Sequence, residues 1–273
     1  MSKIHRTSIW HSLILAVFVF LTFYPFLFLF INSFKSIPQF FLHPWGVTFP
    51  LHGGNYAEAW AALVPFMGNS IAICVVTILG VLTVGCVTGF AFARFDFPGK
   101  QVLYYGILAM MMVPGVLMLI PSFLLAHDLQ LLNTYWVMLL FYIAGGQIIA
   151  IFLLRNFFEA IPEDLFSAAK IDGANTFQML RYIALPLSVP IMSTIAILTG
   201  LAAWNNFLWP LVTVSDSSMK VVTNGIMEFN SAYGGAYGTM FAGYIIAAVP
   251  MLIVIVVAMR AFMRGLAAGA IKS

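Results

Sequence analysis

A chain of 273 residues that is 62% apolar and only 8% charged, with a mean hydropathy of +1.01, is not an ordinary soluble domain, which carries about a quarter charged residues. It is an integral membrane protein. The net charge of +3 calls for no nucleic-acid partner, because the basic residues follow membrane orientation instead.

Runs free of Asp, Glu, Lys and Arg cover residues 12–34, 59–93, 101–126, 129–154, 182–215 and 229–259. Each exceeds the ~20 residues a helix needs to cross the hydrocarbon core. The expected fold is therefore all-α, with six transmembrane helices in one membrane domain over residues 1–273. An amino terminus inside places Lys3, Arg6, Arg94, Lys100, Arg155, Lys170, Arg181, Arg260, Arg264 and Lys272 in the cytoplasm and only Lys35 and Lys220 outside. That asymmetry obeys the positive-inside rule, and an even number of crossings returns the carboxyl terminus to the cytoplasm.

The first run follows Lys3 and Arg6 as a signal peptide would, but it is long and no small-x-small cleavage site follows, so it reads as helix one. Residues 35–66 form an external loop rich in Pro and Gly. Within it, Asn55 and Glu58 resemble a helix start, predicting a short interfacial helix over 56–63 that ends before Pro65. Helix two then runs from about Phe66 to Ala93. It carries Gly85 and Gly89 in a small-xxx-small pattern that admits another helix backbone, and it holds both cysteines, Cys74 and Cys86, too far apart along the axis to pair. Pro98-Gly99 punctuates a compact cytoplasmic turn. Pro114 and Pro121 predict kinks in helix three. Helix five begins after Pro186 and Pro190 and contains Trp204, Asn205 and Asn206. An external loop over about 213–235 is long enough to be a docking loop.

The spans lack interior Asp, Glu, Lys, Arg and His, residues that ion-coupled carriers keep at mid-depth despite a cost of about 2.5–3.5 kcal/mol each. His5, His11, His43, His52 and His127 lie at termini or loops without metal-ligand spacing. No Ser nucleophile has an activating base, no catalytic or metal site is expected, and no phosphate-binding loop is present. Nucleotide energy, if used, comes from another chain.

The cytoplasmic stretch over 155–190 breaks the pattern. Arg155, Glu159, Glu163, Asp164, Lys170, Asp172 and Arg181 all fall in it. Pro162 suits a first helical position, and Glu163 and Asp164 complement the helix macrodipole, predicting a helix over 162–171. Leu165, Ala168, Ala169 and Asp172 share one side of it, with Phe166, Lys170 and Gly173 adjacent. Gly173 can stop that helix, and Asn175 or Thr176 can cap a second one running to Leu185. A hairpin with a flat, small-residue face suits a groove on a cytoplasmic partner. On physical grounds alone, a plain solvated connector stands beside that reading.

The order Ile161-Pro162, Leu165, Ala168-Ala169, Asp172-Gly173-Ala174, Leu185-Pro186 and Pro190 resembles the cytoplasmic EAA loop of permease subunits of bacterial ABC importers. Phe34-Lys35, Asn55-Tyr56, Ala91 through Gly99, Trp204-Asn205 and the tail Gly265 to Lys272 are similar to the carbohydrate-uptake branch with maltose-type permeases. The resemblance implies a second homologous permease, two ATPase subunits that carry the ATP and Mg²⁺, an extracytoplasmic solute-binding protein, a sugar substrate and a location in the bacterial cytoplasmic membrane. It makes the first loop helix a coupling helix seated on an ATPase, with Glu163, Asp164, Ser167, Ala168, Ala169, Asp172 and Gly173 at the contact. It implies no cofactor and no enzymatic role for this chain. Ser167 departs from the family pattern, which has Glu there, and cannot form an ion pair; Glu163 and Asp164, one turn earlier, are candidates to replace it. Gln147, Trp204, Asn205 and Asn206 are the candidate pathway residues, because an uncharged sugar needs hydrogen bonds and aromatic faces. An importer of another solute, such as a glycerol phosphoester, and a scaffold or channel without an ATPase are the alternatives.

Overall fold

The computed structural model describes the backbone of residues 2–270 and the side-chain surroundings of residues 11–254 and 256. Among these the regular structure is helical throughout: α1 (Ser2–Asn32), α2 (Ile37–Leu42), α3 (Gly54–Arg94), α4 (Lys100–Ala109), α5 (Leu119–Asp128), α6 (Tyr135–Ala160), α7 (Glu163–Ile171), α8 (Thr176–Met179), α9 (Leu185–Leu187), α10 (Val189–Trp204), α11 (Leu208–Thr213), α12 (Val222–Ala232) and α13 (Tyr237–Ala270). Four of these are long and apolar enough to span a membrane, and the count rises to six if each of two bent helix pairs is one span. The side chains of Lys3, Arg6, Arg260, Arg264 and Lys272, on which part of the orientation argument rests, and those of the 265–272 tail lie outside the described residues.

Several expected boundaries move. The interfacial helix over 56–63 does not stop before Pro65; α3 runs unbroken through it for 41 residues. At 1.5 Å per residue that is about 60 Å of helix, twice the hydrocarbon thickness, and the short helix and the second span are one continuous element. Proline forfeits a single backbone hydrogen bond, and a long membrane helix tolerates that loss. The two prolines of the third span behave differently. At Pro114 the chain leaves the helix through two 3₁₀ turns and the flanking helices diverge by 101°. Pro121 sits in the first turn of α5, where its missing N–H has no partner to lose. In the fifth span α10 ends at Trp204, so Asn205 and Asn206 sit just beyond a helix terminus before α11. The stretch over 213–235, expected as a loop, contains the eleven-residue helix α12.

The chain divides into two compact units, one comprising the residues up to Val64 with Gly225–Val249, the other Pro65–Asn224 with the chain from Pro250 onward. In the first, a polar knot closes the carboxyl-terminal end of α1. Asn55 donates to the Ser33 and Lys35 carbonyls at 2.8 and 3.0 Å, and the buried Lys35 ammonium donates to the carbonyls of His43 and Pro44 at 2.6 and 3.3 Å. Burial pulls the Lys35 pKa below its ordinary value.

The second unit is built on the pairing of α3 with α6 and α10. Val81, Cys86, Phe90, Ala150, Leu154, Phe158 and Ile195 form one core cluster. The small-xxx-small pair is used as expected. A Cβ at Gly85 would stand 3.0 Å from the Ala150 Cβ, and one at Gly89 would stand 2.8 Å from the Leu154 Cβ. A second cluster, including Ile73, Val137, Met138, Trp209 and Val221, closes the opposite end, with the Trp209 indole N–H donating to the Val137 carbonyl at 3.0 Å.

Candidate functional site

Two places in the second unit carry the functional candidates. The first is the hydrophilic loop between α6 and α10. Pro162 has extended ψ and stands immediately before α7 rather than inside it. Glu163 and Asp164 occupy the first turn and Lys170 the last, each complementing the macrodipole. At the far end Gly173 adopts φ +81°. Its N–H donates to the Lys170 carbonyl at 3.1 Å, and the Ala174 N–H reaches the Ala169 carbonyl at 2.8 Å, the paired bonds of a Schellman stop. Asn175 then opens α8 with a reciprocal capping box to Gln178, both bonds under 3 Å. The second helix continues through a π turn over Leu180–Ala184 into α9, and bends by 77° before α10.

Only one side of α7 is tied down. Phe166 is buried in the α3–α6 cluster, near Phe90. Leu165, Ser167, Ala168 and Asp172 face outward, and Ala169 is half-buried. Leu165, Ile171 and Phe177 are 46%, 87% and 68% exposed, an apolar surface unusual at a hydrophilic turn. Glu163 is paired within the chain although its side chain stays exposed: its carboxylate meets Arg94 at 2.5 Å and Lys170 at 3.8 Å. Asp164, by contrast, has no ion-pair partner among the described residues.

The second place is a cavity of about 310 Å³ between α3, α6 and α10, lined by Thr77, Phe141, Tyr142, Gly146, Thr199 and Asn206 among others. This size lies at the lower end of small-molecule sites. The hydroxyls of Thr77 and Tyr142 are buried there without a hydrogen-bond partner among the described residues. Of the four pathway candidates, Asn206 lines this cavity; its carboxamide oxygen also accepts from the Trp209 N–H at 3.2 Å. Gln147 lies between α6 and α3, donating to the carbonyls of Ile143 and Val81 at 3.2 and 3.5 Å. Trp204 is buried and Asn205 exposed at the end of α10.

Residues 82–270 match the family described as binding-protein-dependent transport system inner membrane component. The chain belongs to that family. The permease is 33% identical over 86% of its length to the diacetylchitobiose uptake system permease of Streptomyces coelicolor, covering 80% of that protein. It is 35% identical over 76% of its length to the arabinooligosaccharide transport permease of Halalkalibacterium halodurans, covering 74% of that one. Its fold matches a chain from the crystal structure of a bacterial ABC transporter that imports the acidic polysaccharide alginate, with a TM-score of 0.83 at 23% identity, over 95% of this chain and 98% of the other. It is thus a multi-pass permease subunit of the inner membrane, not an enzyme.

Sequence reasoning passed over three residues of this geometry. Thr77 and Tyr142 are ordinary span residues until two helices bring them to one cavity. Arg94 enters the sequence reading only through the positive-inside count and a motif, although it is the charge that ends the 59–93 run.

Proposed function

We propose that this permease is the membrane-spanning subunit of an ATP-driven, binding-protein-dependent importer of a sugar or oligosaccharide. It crosses the membrane six times, each bent helix pair counting as one span, with both termini in the cytoplasm. A second homologous permease completes the pathway, two ATPase subunits hydrolyse ATP with Mg²⁺ below it, and an extracytoplasmic binding protein delivers the solute. Alternating access does the transport, so this chain binds and moves but breaks no bond.

The observation that carries the reading is the outward face of α7: Leu165, Ala168 and Asp172 stand free on a helix whose other side is fixed in the core. A short helix presenting small and apolar side chains fits a partner's groove. Ser167, Ala168, Ala169, Asp172 and Gly173 form that contact, with Asp164 as its acidic contributor. Sugar as substrate is supported by the two oligosaccharide permeases above. It is also supported by the cavity, where Thr77, Tyr142 and Asn206 offer uncharged hydrogen-bonding groups beside the Phe141 ring. No basic residue lines it, which disfavours an anionic solute such as a glycerol phosphoester. Gln147, Trp204 and Asn205 complete the pathway outside the cavity.

The test is purification of the chain from its own host with its natural partners, followed by mass spectrometry of the solute retained by the co-purifying binding protein. An oligosaccharide together with two ATPase subunits is the expected result. A complex without an ATPase overturns the transport reading in favour of a scaffold, and an anionic solute overturns the sugar.

A further inference from the structure

Arg94 is the last residue of α3 and the end of a 35-residue stretch without another charge. Its guanidinium makes four different contacts. Nη2 donates to the carbonyls of Phe158 and Ile161, both at 2.6 Å. Those carbonyls belong to the open end of α6, where a cation is favoured by the macrodipole. Nη1 meets the Glu163 carboxylate at 2.5 Å in the first turn of α7. The guanidinium plane lies over the Phe166 ring, 4.0 Å from its centroid. The Arg94 side chain is 13% exposed and its bonds to the two carbonyls are part-buried, so those are shielded from water and salt more than a surface pair would be; the Glu163 carboxylate, 60% exposed, closes the clamp from the solvent side. A planar fork with a stacking face can serve three helices at once; an ammonium cannot.

The other end of α7 is built oppositely. Gly173 is an exposed left-handed corner with nothing within 4 Å of the position its Cβ would take. Beyond it come the π turn and the 77° bend at Ser188. Ser188 is fully buried, and its hydroxyl has no hydrogen-bond partner among the described residues. The hydrogen-bonded ladder is thus irregular on this side, while the Arg94 side is clamped.

We infer that Arg94 is a positioning residue that locks α7 to the ends of α3 and α6 as one rigid body, so that displacement of α7 reaches the membrane through α3 and α6 while the α8–α10 side acts as the hinge. This rests on the proposed reading of α7 as the ATPase contact. It assigns Glu163 to an internal strut rather than to the partner. Without the clamp, α7 is held to α6 by the non-helical pair Ile161-Pro162 and by the packing of Phe166 and Ala169, contacts that leave it freer to swivel against the spans.

The experiment uses the complete complex in lipid nanodiscs, with Cys74 and Cys86 replaced by Ala and spin labels placed at two pairs of cysteines. One pair, Val87→Cys with Lys170→Cys, reports α3 against α7. The other, Lys170→Cys with Leu198→Cys, reports α7 against α10. Distances are measured by electron–electron resonance without nucleotide and with ATP and Mg²⁺ trapped by vanadate. In the parent complex the first distance stays fixed between the two states and the second shifts. In Arg94→Gln the first distribution broadens, and the ratio of ATP hydrolysis with the co-purifying binding protein to hydrolysis without it falls about fivefold or more, the scale of a lost coupling. Arg94→Lys keeps the charge but not the fork, and it decides the matter if Arg94→Gln does not assemble. Broadening and a reduced ratio support the inference. A parent-like distribution and ratio overturn it, as does a first distance that shifts in the parent. A parent chain that co-purifies no ATPase would instead remove the underlying reading of α7.

Discussion

The tightest prediction concerns Gly89. Its added Cβ would lie 2.8 Å from the Leu154 Cβ, 3.2 Å from the Arg155 amide nitrogen and 3.4 Å from the Leu154 carbonyl carbon. None of these can rotate away, since two belong to the backbone of α6 and the third is its first side-chain atom. Gly89→Ala must therefore push α3 and α6 apart, at a cost of about 1–3 kcal/mol for overpacking. In the purified complex that should appear as an unfolding midpoint lower by roughly 2–10 °C. Gly80 provides the control. There the added Cβ meets the Cδ1 and Cγ1 of Ile143 at 2.5 and 2.8 Å, atoms that Ile143→Ala deletes. The Gly80→Ala, Ile143→Ala double variant should be less destabilised than the sum of its singles, with the new methyl filling part of the cavity. The Gly89→Ala, Leu154→Ala pair should show no such relief, because an alanine in place of Leu154 retains every clashing atom. An unaltered midpoint in Gly89→Ala, or its rescue by Leu154→Ala, would refute the close-packed geometry of this helix pair.

Gly173→Val forces a β-branched residue into the left-handed region, costing at least about 1–2 kcal/mol locally. It should leave membrane insertion intact while abolishing binding-protein-stimulated ATP hydrolysis in the reconstituted complex; normal stimulation counts against the corner's role. Thr77→Val and Tyr142→Phe remove unpartnered hydroxyls without changing side-chain volume much. Each should weaken sugar uptake several-fold, on the scale of about 0.5–1.5 kcal/mol per hydrogen bond, with no loss of stability by thermal scan. Uptake unchanged in both would detach the cavity from the pathway. Asp164→Asn should reduce retention of the ATPase subunits on a purification column and Glu163→Gln should not, because only the latter's partners lie within this chain. The opposite order would return Glu163 to the partner contact.

The sequence carried the spans because a charge-free run of twenty or more residues has few alternatives to crossing a bilayer. It carried the shape of the hydrophilic loop between α6 and α10 for a similar local reason. Pro162, Gly173 and Asn175 each act on their own backbone, so the start of α7, its Schellman stop and the cap of α8 needed no knowledge of neighbours. Pro65 misled because the rule that proline ends a helix describes chains in water, where a freed carbonyl finds a solvent partner and a break is inexpensive. What the pattern withheld is lateral. Gly85 and Gly89 announced a close approach but not that Ala150 and Leu154 make it. Arg94 and Glu163 are 69 residues apart, and no periodicity links them. Gln147, Trp204, Asn205 and Asn206 were chosen by residue type, whereas the cavity gathers Thr77, Tyr142 and Asn206 by position.

The pairing of Glu163 within the chain also changes what Ser167 means. With Glu at position 167 this loop would present two acidic groups one turn apart, and under the proposed reading at least one would face the partner. Here Ser167 is neutral and Glu163 is held by Arg94 and Lys170, so the acids of α7 and its stop without an ion-pair partner among the described residues reduce to Asp164 and Asp172. The remaining outward surface is Leu165, Ala168, Ile171 and, across the corner, Phe177. Exposed ion pairs contribute little in any case, about 0–1 kcal/mol, whereas burying one such aliphatic or aromatic side chain contributes about 1.5–3 kcal/mol. Under the proposed reading, affinity for a partner at this surface comes mainly from apolar burial with a smaller part from Asp164, and the charge that matters most to the joint is the one on Arg94. The loop's polar composition, which first marks it out in the sequence, serves mainly to shape and brace a hydrophobic contact.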